Sequence, residues 1–101
     1  MILDTKIKEP ADYKDYPIDY SAWLAENSPG DTLVGATKSV NCLSNPTDTA
    51  MTVPNLVVSA TAVAPWVAGG TVGYTYLVTL IVTTAAGRVD TCEIKFKVKG
   101  T

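Results

Sequence analysis

The sequence has no histidine, and this absence excludes several classes of active site at once. A serine or cysteine nucleophile that depends on histidine cannot be built, and the most common zinc ligand is missing as well. The two cysteines, Cys42 and Cys92, stand fifty residues apart, so the sequence offers no Cys-rich metal cluster. We therefore predict no catalytic residues, and we expect both cysteines to be buried free thiols.

Two stretches look like ligand-binding loops, but each lacks an essential part. The glycine-rich residues 69–73 precede a strand rather than a helix, so they place no helix N-terminus under a phosphate. Asp12, Asp15 and Asp19 are almost regularly spaced, but the glycine and glutamate of an EF-hand loop are missing. We accordingly predict no cofactor, no metal site and no small-molecule substrate, and we expect the protein not to be an enzyme.

Charge and hydropathy exclude two further classes of partner. The formal net charge is −2, whereas a nucleic-acid-binding protein needs a basic excess to neutralise phosphates. No stretch approaches the roughly 20 apolar residues of a membrane span, and the first residues lack the pattern of a secretion signal. We expect a protein that is made and stays reduced in a cytoplasm, with no nucleic acid and no membrane among its partners.

The charges are unevenly distributed along the chain. Residues 1–31 carry three lysines against seven acids, which gives −4, whereas residues 88–101 carry a net charge of +2. Such an offset favours contact between copies or with a charged neighbour. Two ordinary solvated faces explain the same numbers, so both interpretations stay open.

Most of the sequence is rich in Val and Thr and follows the period of two that is typical of β-strands. Residues 74–83 and 91–99 alternate most clearly, and the turn between them contains Gly87, which supplies positive φ. Six or seven short strands with turn signals between them are typical of a sandwich. We predict an all-β fold, an immunoglobulin-like antiparallel β-sandwich.

The remaining strands are less regular. Residues 37–43, 48–53 and 56–67 are predicted as strands, and residues 18–24 as either a first strand or a short turn of helix. The lysines of the last strand point outward in the predicted alternation, where they would protect a sheet edge from unwanted pairing.

The N-terminal segment is polar and lacks a period, so it predicts an extended arm rather than a core strand. We place this arm at residues 1–14 and the sandwich domain at residues 15–101. Tyr13, Tyr16 and Tyr20 stand among acids and make a tract suited to contact with another protein, because tyrosine is enriched at interfaces. The same tract is equally suited to covering its own sandwich.

Three other aromatic residues allow sharper expectations. Tyr76 stands near the start of the penultimate strand, which is the place of a tyrosine corner, although a core aromatic without that hydrogen bond fits as well. Trp23 and Trp66 are predicted as core residues rather than a ligand platform, because monomers avoid large exposed apolar patches.

Three motifs stand near the two ends of the chain, one in the first half and two in the second. They are an acidic Tyr-Pro-x-Asp-aromatic-Ser tract, a Gly-Gly-Thr corner, and a hairpin with Thr-Thr-x-x-Gly-Arg-x-Asp. The residues that carry them are Lys8-Glu9-Pro10, Asp15-Tyr16-Pro17-Ile18-Asp19-Tyr20-Ser21-Ala22-Trp23-Leu24, Trp66-Val67-Ala68-Gly69-Gly70-Thr71, Tyr76, Val78-Thr79 and Val82-Thr83-Thr84-Ala85-Ala86-Gly87-Arg88-Val89-Asp90. In these motifs the chain resembles a family of small tailed-phage virion proteins, described as fibre–tail adaptors, although Tyr20 stands where a tryptophan is common.

The resemblance implies a non-enzymatic structural protein of a tailed bacteriophage virion, assembled in the host cytoplasm, that joins tail and fibre components. Its partners would be other virion proteins (tail, fibre or connector subunits) and copies of itself. The alternatives are a capsid cement or decoration protein of the same fold and a carbohydrate-binding adhesin module, which requires a planar exposed aromatic pair. The partner-binding residues predicted for this role are Tyr13, Tyr16, Tyr20, Trp23 and Arg88.

Overall fold

Eight strands and one short helix alternate with tight turns within residues 2–100. The computed structural model describes residues 2–100, with side chains from residue 4 onward. The elements in chain order are β1 (Ile2–Lys8), β2 (Lys14–Asp15), β3 (Ile18–Asp19), α1 (Ser21–Asn27), β4 (Leu33–Cys42), β5 (Met51–Val58), β6 (Ala62–Gly69), β7 (Thr75–Thr84) and β8 (Val89–Val98).

The first sheet has the strand order β1-β8-β7-β4 and contains the predicted C-terminal hairpin. β7 and β8 pair antiparallel, with Val78 opposite Ile94 and Leu80 opposite Cys92. The inward side chains of both strands are buried, as the alternation predicts, and Gly87 in the connecting turn has φ 90°. The hairpin prediction is therefore confirmed. It could be made from the sequence because the period of two and the glycine turn both specify a hairpin.

One pairing in the first sheet was not predicted. β1 runs parallel to β8, with Lys6 opposite Phe96, so the sheet is not purely antiparallel. β8 is consequently an inner strand, and the prediction that its lysines protect a sheet edge is wrong. Residues 2–8, expected in an extended arm, lie in the sheet as β1, whereas the division into residues 1–14 and 15–101 stays a prediction.

Lys8 shows how a charged residue can occupy an inward position of β1. The residue is only 1% exposed, and its Nζ donates hydrogen bonds to the carbonyl oxygens of Glu9 and Gly69, both at 2.8 Å. Burial lowers the pKa of this amine. Because Gly69 ends β6, the lysine connects the end of β1 to the second sheet.

The second sheet is centred on β6, with β5 on one side and the short β2 and β3 on the other. The prediction of one strand over residues 56–67 is wrong, because the chain turns between β5 and β6. The Ser59 N–H donates to the Ala62 carbonyl oxygen at 2.9 Å and closes this turn. Residues 18–24 contain both predicted alternatives, since the two-residue β3 is followed by the helix α1.

The two sheets pack face to face around one core, so the all-β sandwich is confirmed, while its immunoglobulin-like character stays a prediction. Both cysteines are buried free thiols. The largest fully buried side chains include Tyr76, Phe96, Leu80, Val63, Val67, Val78, Val82 and Val98.

The sandwich is elongated, with extents of 44 × 22 × 20 Å, and its connections gather at two ends. We call one the helix end: it contains α1 and the turns at residues 28–32, 59–61 and 85–88. Backbone hydrogen bonds join these segments to one another, for example from the Leu33 N–H to the Ala60 carbonyl oxygen at 2.9 Å. The other is the corner end, which contains residues 43–50 and 69–74.

The corner end is held by a hydrogen-bond network around the buried Tyr76. The Tyr76 hydroxyl accepts the Thr71 N–H at 2.8 Å and donates to the Asp48 carboxylate at 2.7 Å. The bond to a backbone group five residues upstream has the geometry of a tyrosine corner, which decides between the two alternatives. Hydrogen bonds from the Thr71 hydroxyl, the Ala50 N–H and the Tyr76 hydroxyl lower the pKa of Asp48.

Candidate partner-binding surface

Tyr13 lies just before β2, on the outer face of the second sheet. Its ring is 51% exposed and contacts Trp66, with ring centroids 5.4 Å apart and planes tilted by 50°. Trp66 therefore faces outward, and its prediction as a core residue is wrong: the inward positions of β6 are occupied by Val63 and Val67. Because the two rings are tilted, they do not form the planar pair that a sugar-binding platform requires.

Tyr16 lies in the opening between the sheets, where β2 ends and β3 has not begun. Its N–H donates to the Pro65 carbonyl oxygen at 3.0 Å, and its ring meets Phe96 edge-on, with centroids 4.8 Å apart. Burial raises the pKa of its hydroxyl. Tyr16 also lines an open cavity of about 460 Å³, whose wall includes Lys6 and Ile94. This tyrosine thus covers its own sandwich.

Tyr20 precedes α1 and is only 4% exposed. Its hydroxyl donates to the Asp90 carboxylate at 2.9 Å, and its N–H donates to the Thr61 carbonyl oxygen at 2.7 Å. Burial and the nearby Cys92 and Asp90 raise the pKa of this hydroxyl far above its usual range. The structure thus places Tyr20 in the core, where its side chain is not presented to a partner.

Trp23 packs on Tyr20 from α1 and stays half-exposed at the helix end. The two rings meet edge-on, with centroids 5.5 Å apart and planes at 85°. The Trp23 carbonyl oxygen also accepts a hydrogen bond from the Asn27 side chain at 2.9 Å. Edge-to-face packing on a buried ring fixes the indole while part of it faces solvent.

Arg88 lies in the β7–β8 turn, and the turn is held by Asp31 rather than by the hairpin alone. The Asp31 carboxylate accepts the Ala86 N–H at 3.0 Å and the Ser28 hydroxyl at 2.9 Å. Several hydrogen bonds lower the pKa of Asp31 to about 2, and the one from the Thr84 side chain lowers it most. The exposed Arg88 is thereby carried on a turn with a fixed backbone.

The structure therefore divides the five predicted residues. Trp23 and Arg88 both lie at the helix end, where Tyr20 packs on Trp23 and bonds to Asp90, two residues after Arg88. Tyr13 lies apart on the outer face of the second sheet, and Tyr16 lines the opening between the sheets. Whether these residues bind a partner stays a prediction, and it is strongest for the exposed ones.

Two residues of the helix end were missed in the sequence. Asp31 stands in a visible turn signal, Ser28-Pro29-Gly30-Asp31, but the N–H that it binds belongs to Ala86, fifty-five positions away. Asp90 follows the hairpin turn and binds Tyr20 across seventy positions. Contacts of this range leave no period in the sequence.

Within residues 2–100 the structure shows no group of three acidic, cysteine or histidine side chains placed to hold a metal ion. The one helix in this part of the chain is too short to span a membrane. Its seven residues form two turns beside the β5–β6 connection.

The fold and its surface define a class of protein. It is a small β-sandwich in which some side chains, such as Asp31, fix the loops at one end, while others, such as Arg88, face solvent there. The family model described as "Podophage GP4 fiber-tail adaptor protein gp77" matches residues 8–97. The chain belongs to this family of phage fibre–tail adaptors, which confirms the resemblance noted in its motifs. None of the curated proteins matches the chain.

Proposed function

We propose that the protein is a non-enzymatic structural adaptor that joins tail and fibre components of a tailed-phage virion through protein–protein contacts. The family description gives the general role. The structural observation that supports it best is the helix end, where an exposed arginine is presented on a turn with a fixed backbone and a half-exposed tryptophan is presented on α1.

The chemistry of the helix end suits an interface. Tryptophan and arginine are the residue types that most often dominate binding energy at protein interfaces. Asp31 fixes the backbone of the turn that carries Arg88, and Tyr20 supports Trp23 from below. Because these segments are ordered before binding, association loses less conformational entropy than it would with flexible loops.

The partners in this proposal are other virion proteins, namely tail, fibre or connector subunits, together with further copies of the chain. Assembly would take place in the host cytoplasm, and the finished protein would be a virion component. A capsid cement protein of the same fold would differ in location and number, since it would cover the head in many copies.

The proposal is tested by reversing the charge of Arg88. Arg88→Glu keeps the two hydrogen bonds between residues 84 and 88, because both use the backbone of residue 88. The matched control is Lys99→Glu, which makes the same charge change at the corner end. Each exposed substitution should change the free energy of unfolding by less than about 0.5 kcal/mol. Phage carrying each variant are purified, and the adaptor and fibre content of the particles is measured by quantitative mass spectrometry.

We expect Arg88→Glu particles to lose fibre protein, because a reversed charge in an interface costs several kcal/mol of affinity, while Lys99→Glu particles keep the wild-type content. Equal fibre content in both variants would contradict a role of the helix end in joining fibres. Many copies of the protein on heads without tails would show a cement protein instead.

A further inference from the structure

The two sheets have free edges, and most of these carry features that discourage the addition of another strand. At β1, the Asp4 carboxylate accepts the N–H of Thr5 at 2.7 Å and so occupies a backbone donor. β5 contains Pro54, which has no N–H, and its register shifts between Thr52 and Asn55. β2 and β3 have two residues each, which is too short to guide a partner strand.

β4 forms the remaining edge and differs from the others in length and regularity. It has ten residues, LVGATKSVNC, without a proline. Its pairing with β7 continues without interruption from Gly35 to Cys42. The strand carries one charged side chain, Lys38, which is exposed.

The hydrogen-bonding pattern shows which backbone groups of β4 face the free edge. The Leu43 N–H donates to the Thr75 carbonyl oxygen of the neighbouring chain segment at 2.8 Å. Because antiparallel pairing uses alternate residues, the residues that bond to β7 in the same way are Thr37, Ser39 and Asn41. The residues whose N–H and C=O groups turn toward the free edge are Ala36, Lys38 and Val40.

A groove of about 310 Å³ runs along this edge between β4 and the start of β5. Lys38 and Val40 line one side, and Asp48 and Met51 lie on the other. The Asp48 carboxylate is already engaged by Tyr76 and other donors. Asp48 keeps its negative charge, because its donors are neutral, and Lys38 is the charged side chain of the groove that pairs with no residue from 4 to 100.

A second copy of the chain does not match this edge. Lys38 stands near the middle of β4, so antiparallel pairing of two β4 strands about a twofold axis sets two lysines opposite or diagonal to each other on one face. Like charges in these positions destabilise a strand pair. Lys38 lies opposite the inward Leu80, and a lysine at such a position disfavours the addition of a further strand. A carboxylate at the matching position of the added strand removes this penalty, because opposite charges on neighbouring strands attract.

We infer that the free edge of β4 binds an extended acidic segment of another virion protein, which adds a fifth strand to the first sheet. The partner backbone would bond to the edge-facing groups of Ala36, Lys38 and Val40, and its carboxylate would lie beside the Lys38 amine. The assignment of the segment to a virion protein rests on the proposed function, whereas the strand addition and its charge preference do not.

Amide hydrogen exchange of the full chain, measured by NMR, tests the inference residue by residue. The probe is a synthetic ten-residue peptide of alternating Thr and Val with one central Glu, and the matched control peptide has Lys in place of that Glu. In the free protein, the amides of Ala36, Lys38 and Val40 should exchange faster than those of Ser39 and Asn41. With the Glu peptide at about ten times its Kd, exchange at the three edge-facing amides should slow about tenfold.

Charge reversal supplies the second arm of this test. Lys38→Glu should reverse the preference, so that the Lys peptide protects the edge-facing amides and the Glu peptide does not. Lys97→Glu, on the outer face of the inner strand β8, should leave the preference of the wild type unchanged. A preference that does not follow the charge at residue 38 would overturn the inferred pairing.

Three further outcomes would also overturn it. The first is that the edge-facing amides are already protected in the free protein and that sedimentation shows a dimer. This result would show that a second copy of the chain occupies β4. The second is that the peptides protect amides of β1 or β5 instead of β4. The third is that neither peptide protects any of the edge-facing amides. None of these results depends on particle composition, so a failure of the Arg88→Glu test leaves this inference standing, and the reverse also holds.

Discussion

The two ends of the sandwich use the same residue pair for different purposes. At each end a buried tyrosine donates its hydroxyl proton to an aspartate: Tyr76 to Asp48 at the corner end and Tyr20 to Asp90 at the helix end. Tyr76 also accepts a backbone N–H, and its network closes a turn of the fold. Tyr20 supports the half-exposed Trp23. The difference indicates that the corner end stabilises the sandwich, whereas the helix end holds a half-exposed side chain in place, as the proposed function requires.

The largest expected difference between the ends comes from two glycines with positive φ. Gly69 has φ 76°, and an added methyl group would collide with the carbonyl oxygen of Ala50. Gly87 has φ 90° but open space around it. Gly69→Ala should therefore cost about 3 kcal/mol or more of unfolding free energy, and Gly87→Ala about 1 kcal/mol. Urea unfolding of both variants measures the difference, and equal losses would mean that the corner end is not the more tightly packed one.

Removing one hydroxyl from each tyrosine compares the two ends more directly. Tyr76→Phe leaves the Thr71 N–H without a partner beside a fully buried ring and removes one of the three donors of the Asp48 carboxylate, which should cost about 2 kcal/mol. Tyr20→Phe removes the bond to the half-buried Asp90 carboxylate but leaves no backbone N–H without a partner, so it should cost about 1 kcal/mol. Thermal unfolding of the two variants provides the measurement. A larger loss for Tyr20→Phe would reverse the assignment of roles.

The smallest effect concerns acid stability at the helix end. The pKa of Asp31 is about 2 in the folded chain and 3.8 without its hydrogen bonds, so the folded state binds this proton less readily. The resulting stabilisation is complete above pH 3.8 and is lost as the pH falls toward 2.

The difference in unfolding free energy between the wild type and Asp31→Asn should therefore shrink over this pH range. The pKa of Asp48 is lowered as well, so only this difference isolates the helix end. A difference that stays constant on acidification would show that the Asp31 carboxylate does not hold the turn as a charged group.

The fold was predictable where one local pattern decides it. β7 and β8 alternate strictly and meet at a glycine turn, so local sequence specifies the hairpin. The turn at residues 59–61 was missed because apolar residues continue on both sides of it and it contains no glycine or proline. β1 was missed for the opposite reason: Asp4, Lys6 and Lys8 occupy its inward positions, so the expected apolar period is absent.

The surface was less predictable than the fold, because exposure depends on contacts that are distant in sequence. Tyr13, Tyr16 and Tyr20 look alike in the sequence, but one is exposed, one covers the opening between the sheets and one is buried. The burial of Tyr20 depends on Asp90, and the order of the Arg88 turn depends on Asp31. No local property of the tract contains this information.

The central claim is that the helix end is the surface through which the protein contacts its virion partners. A cryo-EM map of the intact phage tail tests this claim most directly, because it shows which end of each sandwich faces a neighbouring protein. We predict density of another virion protein against Trp23 and the turn at residues 85–88. A map in which the helix end faces solvent while the corner end contacts tail and fibre would contradict the account.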